Sequence, residues 1–231
     1  MHKPKITARA AGIAMSIMIA GGVFAQGFVA NKLISFSDAA LTANNILANR
    51  SLFQLSFTVF LVEMASQIAV TALLYRLLSP VNRDIALVAA FIDLGASIMK
   101  TFSRAFYIMP LFVLSGSNAL SAFSADQLRA LALVLLKIND RGAATACAFF
   151  AVSGLLNGYL IFRSGFLPRG LGILAMISAA GWARFFYPSL RFPPFMVVAV
   201  TSLVVVCVQI FWFVVFGVDE EKWRERERLT R

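Results

Sequence analysis

The chain has 231 residues, 60% of them hydrophobic and only 14% charged, with a formal net charge of +10. That composition excludes an ordinary soluble domain. No basic-aromatic surface motif accompanies the charge, so it is read as topology signal and phospholipid-headgroup contact, with no nucleic-acid partner.

One histidine (His2) and two cysteines (Cys147 and Cys207), both inside apolar runs, argue against a disulfide framework and a His/Cys metal site. No metal or other cofactor is expected. Residues 1–9 carry Lys3, Lys5 and Arg9 ahead of an apolar run, 10–29, that holds Gly21, Gly22 and Gly27. A secretory signal peptide begins in the same way, and Val23-Phe24-Ala25 has the form of a cleavage site. The run continues past that site and further spans follow, which favours a retained first span. Ser37-Asp38 caps a short helix, 39–49, that lies at the interface or folds back against the bundle.

Residues 52–78 form the second span, with Glu63 and Gln67 inside it. In the turn Ser79-Pro80-Val81-Asn82-Arg83 the proline stops the helix and the asparagine suits the bend. The third span is 84–114, followed by a small polar loop, 115–123. Ser124-Ala125-Asp126-Gln127 is a capping box. The helix it opens, to about residue 138, is short for a span and has a Leu-rich face, which predicts an interfacial or re-entrant helix. The fourth span, 142–162, holds Gly154 and Gly158, extended backward by Ala151 and Cys147, as a surface for close helix packing. After the basic turn 163–169 a shorter fifth span, 170–187, ends in Trp182, Arg184, Phe185, Phe186 and Tyr187, an interfacial aromatic belt. Pro193-Pro194 starts the sixth span, 195–218, which includes Gln209. The tail, 219–231, balances five acidic against five basic residues and reads as a solvated helical extension, with Trp223 near headgroups.

The predicted fold is therefore an all-α polytopic bundle of six transmembrane helices with two short interfacial or re-entrant helices. Its domains are a six-span domain, 1–218, and a charged cytoplasmic tail, 219–231. Lys and Arg in alternate connections number twelve on the side of the termini and seven on the other. This places both termini in the cytoplasm. The turns after the second and fourth spans share an Arg, Pro, Arg order. It is either a remnant of parallel duplication or the ordinary form of a short cytoplasmic turn.

Three stretches carry a resemblance. Asp38-Ala39-Ala40 with Asn45-Ile46-Leu47-Ala48, Pro80-Val81-Asn82-Arg83, and the run from Gly158 to Gly172 resemble the bacterial membrane proteins grouped as domain of unknown function 4386. Arg163-Ser164-Gly165-Phe166-Leu167-Pro168-Arg169 is the most specific piece. The similarity runs from about Arg9 to Val218 and implies a six-span bacterial inner-membrane protein, with no established activity. Members often show His-Asp before the fourth span, where this chain has Asn139-Asp140, so a proton role for that histidine does not carry over.

The candidate site lies in the second and third spans. Asp93, Ser97, Lys100 and Arg104 follow at offsets of 4, 7 and 11 on one helix face, begun by Ala86, Ala89 and Ala90 and continued by Tyr107. Glu63 and Lys100 each lie about 22 Å along their helices from the Pro80 turn, so they are predicted to meet across the hairpin. Asp93 falls lower on the same seam, and Gln67 can hydrogen-bond within the group. Three readings stay open for the candidate polar core Glu63, Gln67, Asp93, Lys100 and Arg104. It is a cavity for a proton, ion or small polar solute; or buried ion pairing that fixes packing; or Lys100 and Arg104 reach out to the headgroups. No nucleophile–base pair, metal site or matched pair of carboxylates is present, so no enzyme is expected. The functional expectation is a small transport-like or sensing protein, the alternative a structural or lipid-interacting accessory membrane protein. The expected partners are membrane lipids, with a homo-oligomer or a membrane partner protein, because six spans is small for a transporter.

Overall fold

The computed structural model describes residues 3–116, 120–186 and 194–230. His2, Ser117 to Ala119, Tyr187, Arg191, Pro193 and Arg231, which entered the sequence reading, lie outside them. Among the described residues the chain is all-helical, without strands. The eight helices are α1 (Pro4–Leu33), α2 (Ala39–Ala48), α3 (Arg50–Leu78), α4 (Arg83–Val113), α5 (Ala125–Ser164), α6 (Arg169–Trp182), α7 (Phe195–Val215) and α8 (Glu220–Thr230). Five of them, α1, α3, α4, α5 and α7, are long and apolar enough to cross a membrane. Only 22 to 39% of each apolar window is buried within the protein. Side chains such as Phe91, Phe102, Met196 and Val204 point outward. So much outward apolar surface is unfavourable in water and suits lipid.

Helices α5, α6 and α1 differ from the sequence reading. Residues 125–164 are one 40-residue helix, not a short helix ending near 138 followed by a span from 142. At 1.5 Å per residue, α5 is about 60 Å long, roughly twice the hydrocarbon thickness of a bilayer. Asn139-Asp140-Arg141-Gly142 contains no proline, and one glycine costs a helix only about 1 kcal/mol. The expected fifth span is a 14-residue helix, α6, with a 3-10 turn at Ala183–Phe185, and α6 falls short of the five. Finally, α1 is π-helical over Val23–Ala30, directly after Gly21 and Gly22.

The chain divides into two compact units. The first comprises Met1–Ile17, Ser66–Ser97 and Thr145–Arg231. Leu74, Leu77 and Leu78 of α3, Leu160 and Ile161 of α5, Phe166, Leu167, Phe213 of α7 and Trp223 of α8 build its core. Helices α5 and α6 approach so closely that a Cβ on Gly172 would lie 2.5 Å from the Phe162 nitrogen. The turn between them is closed by Ser164, whose hydroxyl donates to Ile161 O at 2.7 Å and accepts from Leu167 N–H, and by Gly165 at φ +75.

One end of this unit gathers four parts of the chain. After α7, Gly217 takes φ +71 and sits against Lys5 near the start of α1. Asp219 N–H donates to Phe166 O of the α5–α6 turn at 3.2 Å. Trp223 Nε1–H donates to Leu77 O at the end of α3 at 2.9 Å, and Thr230 Oγ1 donates to Pro80 O in the α3–α4 turn at 2.8 Å. The tail is thus a helical extension, as read, with most of its side chains at the surface, but it is docked rather than free, and Trp223 is a core residue, 4% exposed, rather than a headgroup anchor. A balanced charge pattern left the tail looking self-sufficient, but one face of α8 carries an indole that the core can bury.

The second unit comprises Met18–Ala65 and Ile98–Ala144. Ala25 and Val29 of α1, Ile46 of α2, Phe53 and Phe60 of α3, Tyr107 of α4 and Leu136 of α5 form its core. The predicted cap of α2 is present, with Asp38 Oδ1 accepting from Leu41 N–H at 2.9 Å. Thr42 closes the loop before it by exchanging two hydrogen bonds with the Ser35 backbone. Gly142 lets α5 meet α4: a Cβ there would lie 2.1 Å from Ser103 Oγ.

Candidate functional site

Asp93 belongs to the first unit and is 7% exposed. Gln67 and Thr71 stand one turn apart on α3 and therefore share a face. Both donate to Asp93 Oδ2, Gln67 through Nε2 at 2.8 Å and Thr71 through its hydroxyl. Ser153 of α5 donates to Oδ1 at 2.8 Å. Ser97, one turn on from Asp93, donates to the Asp93 backbone carbonyl at 2.8 Å. Three helices thus converge on one carboxyl group with neutral donors only. Among the described residues Asp93 takes part in no ion pair. Two of the donors have a second acceptor in reach: Thr71 Oγ1 lies 3.0 Å from Gln67 O and Ser153 Oγ 3.1 Å from Phe150 O. When the carboxyl gains a proton, those two hydroxyls can turn to carbonyls of their own helices.

Glu63, Lys100 and Arg104 belong to the second unit. Lys100 Nζ donates to Glu63 Oε1 at 2.7 Å, the pair that the hairpin geometry predicts. Both side chains are largely buried, at 8% exposed for Glu63 and 16% for Lys100. Gly21 and Gly22 of α1 make room for the carboxylate: a Cβ on Gly22 would lie 3.4 Å from Glu63 Oε1. Glu63 Oε2 is buried and has no hydrogen-bond partner among the described residues. Arg104, 2% exposed, donates from Nη1 to Asn139 Oδ1 at 3.1 Å, and its guanidinium lies 3.6 Å from the centroid of the Phe60 ring. Below it Tyr107 stacks on Phe53 at 4.4 Å and meets Phe60 edge-on, with its hydroxyl 3.0 Å from Ser56 Oγ. Lys100 and Arg104 therefore do not reach out to headgroups.

The five candidate residues form two clusters, Gln67 with Asp93 and Glu63 with Lys100, while Arg104 binds elsewhere. Gln67 serves Asp93, not Glu63. Sequence reasoning missed Thr71 and Ser153 and named Asn139 without its partner, because a lone hydroxyl or amide carries no pattern that names what it binds. Gly154 and Gly158 both face α6: a Cβ on Gly154 would lie 3.0 Å from Ala179 Cβ, and one on Gly158 2.7 Å from Met176 Cγ. Gly172, on the other side of that contact, is the tighter approach and was not singled out.

These features define a class: an all-helical protein with five helices of membrane-crossing length and apolarity and with ionisable side chains buried by them. Within that class, residues 10–217 match the family model described as domain of unknown function (DUF4386), and the chain belongs to that family. No curated protein and no solved structure matches the chain.

Proposed function

We propose that this is a six-span integral protein of the bacterial inner membrane, with both termini in the cytoplasm. It is a small transport-like or sensing protein whose working group is Asp93. The single observation that carries the functional part is a buried carboxyl group held by Gln67, Thr71 and Ser153 and by no cation among the described residues. An ionisable group in a membrane span is a functional candidate by default. This one can gain or lose a proton without breaking an ion pair, and its hydroxyl donors can follow. The six-span count is supported by the end of the first unit where the start of α1, both interhelical turns and the end of α7 meet. A chain returning to that end each time makes an even number of crossings, with α6 and its 3-10 turn as the short sixth. The positive charges at this end support its cytoplasmic placement.

The test is infrared spectroscopy of the purified protein and of Asp93→Asn, which keeps the shape and most hydrogen bonds but cannot titrate. On acidification the wild type is expected to gain a protonated-carboxyl band that the variant lacks. The same band in both proteins would refute Asp93 as the proton site. The alternative, a structural or lipid-interacting accessory protein, is favoured by the Glu63–Lys100 pair, a largely buried ion pair between α3 and α4. We assign no catalytic step to either cluster.

A further inference from the structure

Asp93 sits in a helix long and apolar enough to cross a membrane, and its charge is matched by no cation among the described residues. A carboxylate taken out of water without a counter-charge is costly, so when ionised this one calls for a cation. The groups around it are of one chemical kind. They are the hydroxyls of Thr71 and Ser153 and the amide of Gln67, all within the first unit. Among the described residues no lysine, arginine, backbone N–H or second titratable group bonds to it.

Each of the three groups carries an oxygen with lone pairs as well as a proton. The hydroxyl protons have other acceptors in reach, Gln67 O for Thr71 and Phe150 O for Ser153. With the protons turned there, both hydroxyl oxygens present lone pairs to the carboxylate side. Gln67 donates through Nε2, while its Oε1 accepts no hydrogen bond among the described residues. A half-turn of the amide exchanges the two. Helices α3, α4 and α5 can thus offer five oxygens and one negative charge around one point. Oxygen ligands suit hard cations. One carboxylate neutralises a single positive charge, whereas a divalent ion would keep a second one in low-dielectric surroundings. Donors only 2.8 Å from the carboxyl favour a compact ion over a large one.

We infer that Asp93 is the centre of a sodium site, with Thr71, Ser153 and Gln67 as its further ligands. The inference rests on the proton reading of Asp93 and deepens it. Sodium and a proton use the same carboxyl, so binding of one sodium ion releases one proton to water and the charge of the site is unchanged.

The experiment follows the protonated-carboxyl infrared band of the full-length, detergent-purified protein as potassium chloride is replaced by sodium chloride at fixed ionic strength. At an acidic pH where the band has formed in potassium, sodium is expected to remove it. A fall of about one pH unit is expected to offset about a tenfold rise in sodium, the mark of one-for-one exchange. Wild type is expected to bind radioactive sodium that unlabelled sodium displaces and potassium does not, and Asp93→Asn to bind none. Ser153→Ala removes one oxygen and keeps the carboxyl. It is expected to form the band in potassium and to need about tenfold more sodium to lose it, whereas Thr71→Ser, which keeps its hydroxyl, follows wild type. A band that forms in potassium and is equally strong in sodium overturns the sodium site and leaves the proton reading standing. A band missing from both salts, or retained in Asp93→Asn, overturns the proton reading and the site with it. Equal displacement of bound sodium by potassium overturns the choice of sodium. Should Asp93→Asn not fold, Ser153→Ala still decides, because an unchanged sodium dependence there overturns the ligand set.

Discussion

Gly172→Ala separates close backbone contact from ordinary glycine preference within one contact, α5 against α6. The added Cβ would lie 2.5 Å from Phe162 N, 2.6 Å from Gly158 O and 2.9 Å from Phe162 Cα. All three are backbone atoms, so no rotamer change relieves them. Ordinary contact begins near 3.4 Å, so α6 must withdraw by about 0.9 Å. That movement loosens the buried contacts of Leu160, Leu171 and Ala179 along the same seam. Overpacking of this kind costs about 1–3 kcal/mol, and alanine's better helix propensity returns at most about 1 kcal/mol. A net loss of about 1–2 kcal/mol is expected. Gly154→Ala meets only Ala179 Cβ, at 3.0 Å, a shift of a few tenths of an ångström, so propensity and crowding nearly cancel. Gly95→Ala meets nothing within 4 Å and is expected to stabilise by about 0.5–1 kcal/mol. Reversible unfolding in mixed detergent micelles, followed by far-ultraviolet circular dichroism, gives the order Gly95→Ala above wild type and Gly154→Ala, with Gly172→Ala lowest. A Gly172→Ala protein as stable as Gly154→Ala would refute the close-contact argument.

Lys100→Met leaves Glu63 buried without its cation and is expected to cost about 3–5 kcal/mol in the same unfolding assay, whereas the double variant Glu63→Gln with Lys100→Met returns most of it. Asp219 starts α8: its carboxylate accepts from the Lys222 backbone N–H at 3.2 Å and pairs with the Lys222 ammonium at 3.1 Å. The backbone N–H first, then the Lys222 side chain, hold this carboxyl below its ordinary range. A lowered carboxyl favours the folded state above its ordinary value and loses that contribution as pH falls through the lowered one. Docking of α8, read from Trp223 fluorescence, is therefore expected to loosen at strongly acidic pH, and Asp219→Asn to weaken it at neutral pH and remove that pH dependence.

Local chemistry made much of the fold legible. Asp38 caps α2 as its position implied, and Ser124 and Gln127 form the expected reciprocal pair, with Ser124 N–H to Gln127 Oε1 at 2.8 Å and Gln127 N–H to Ser124 Oγ at 3.3 Å. Such bonds join residues three apart, so they need no knowledge of the rest of the chain. The Glu63–Lys100 pair was legible for a related reason: a proline turn and a fixed rise per residue set their heights. The partners of Asp93 were not. Height follows from counting residues, but which faces of α3, α4 and α5 meet depends on how each helix is rotated about its axis, and only packing sets that.

By itself the sequence determined an all-helical chain with apolar segments of membrane-crossing length, its short-range caps and turns, and the level of one ion pair. Each follows from hydropathy, spacing or a backbone preference that acts over a few residues. Tertiary structure alone decided that α5 runs unbroken past Gly142, because the gain from seating it against Ser103 outweighs the small helix cost of glycine. It decided likewise that Trp223 is core, and that Asp93 is held by an amide and two hydroxyls. These outcomes compare contacts between residues 22 to 146 positions apart, and no local preference contains that comparison.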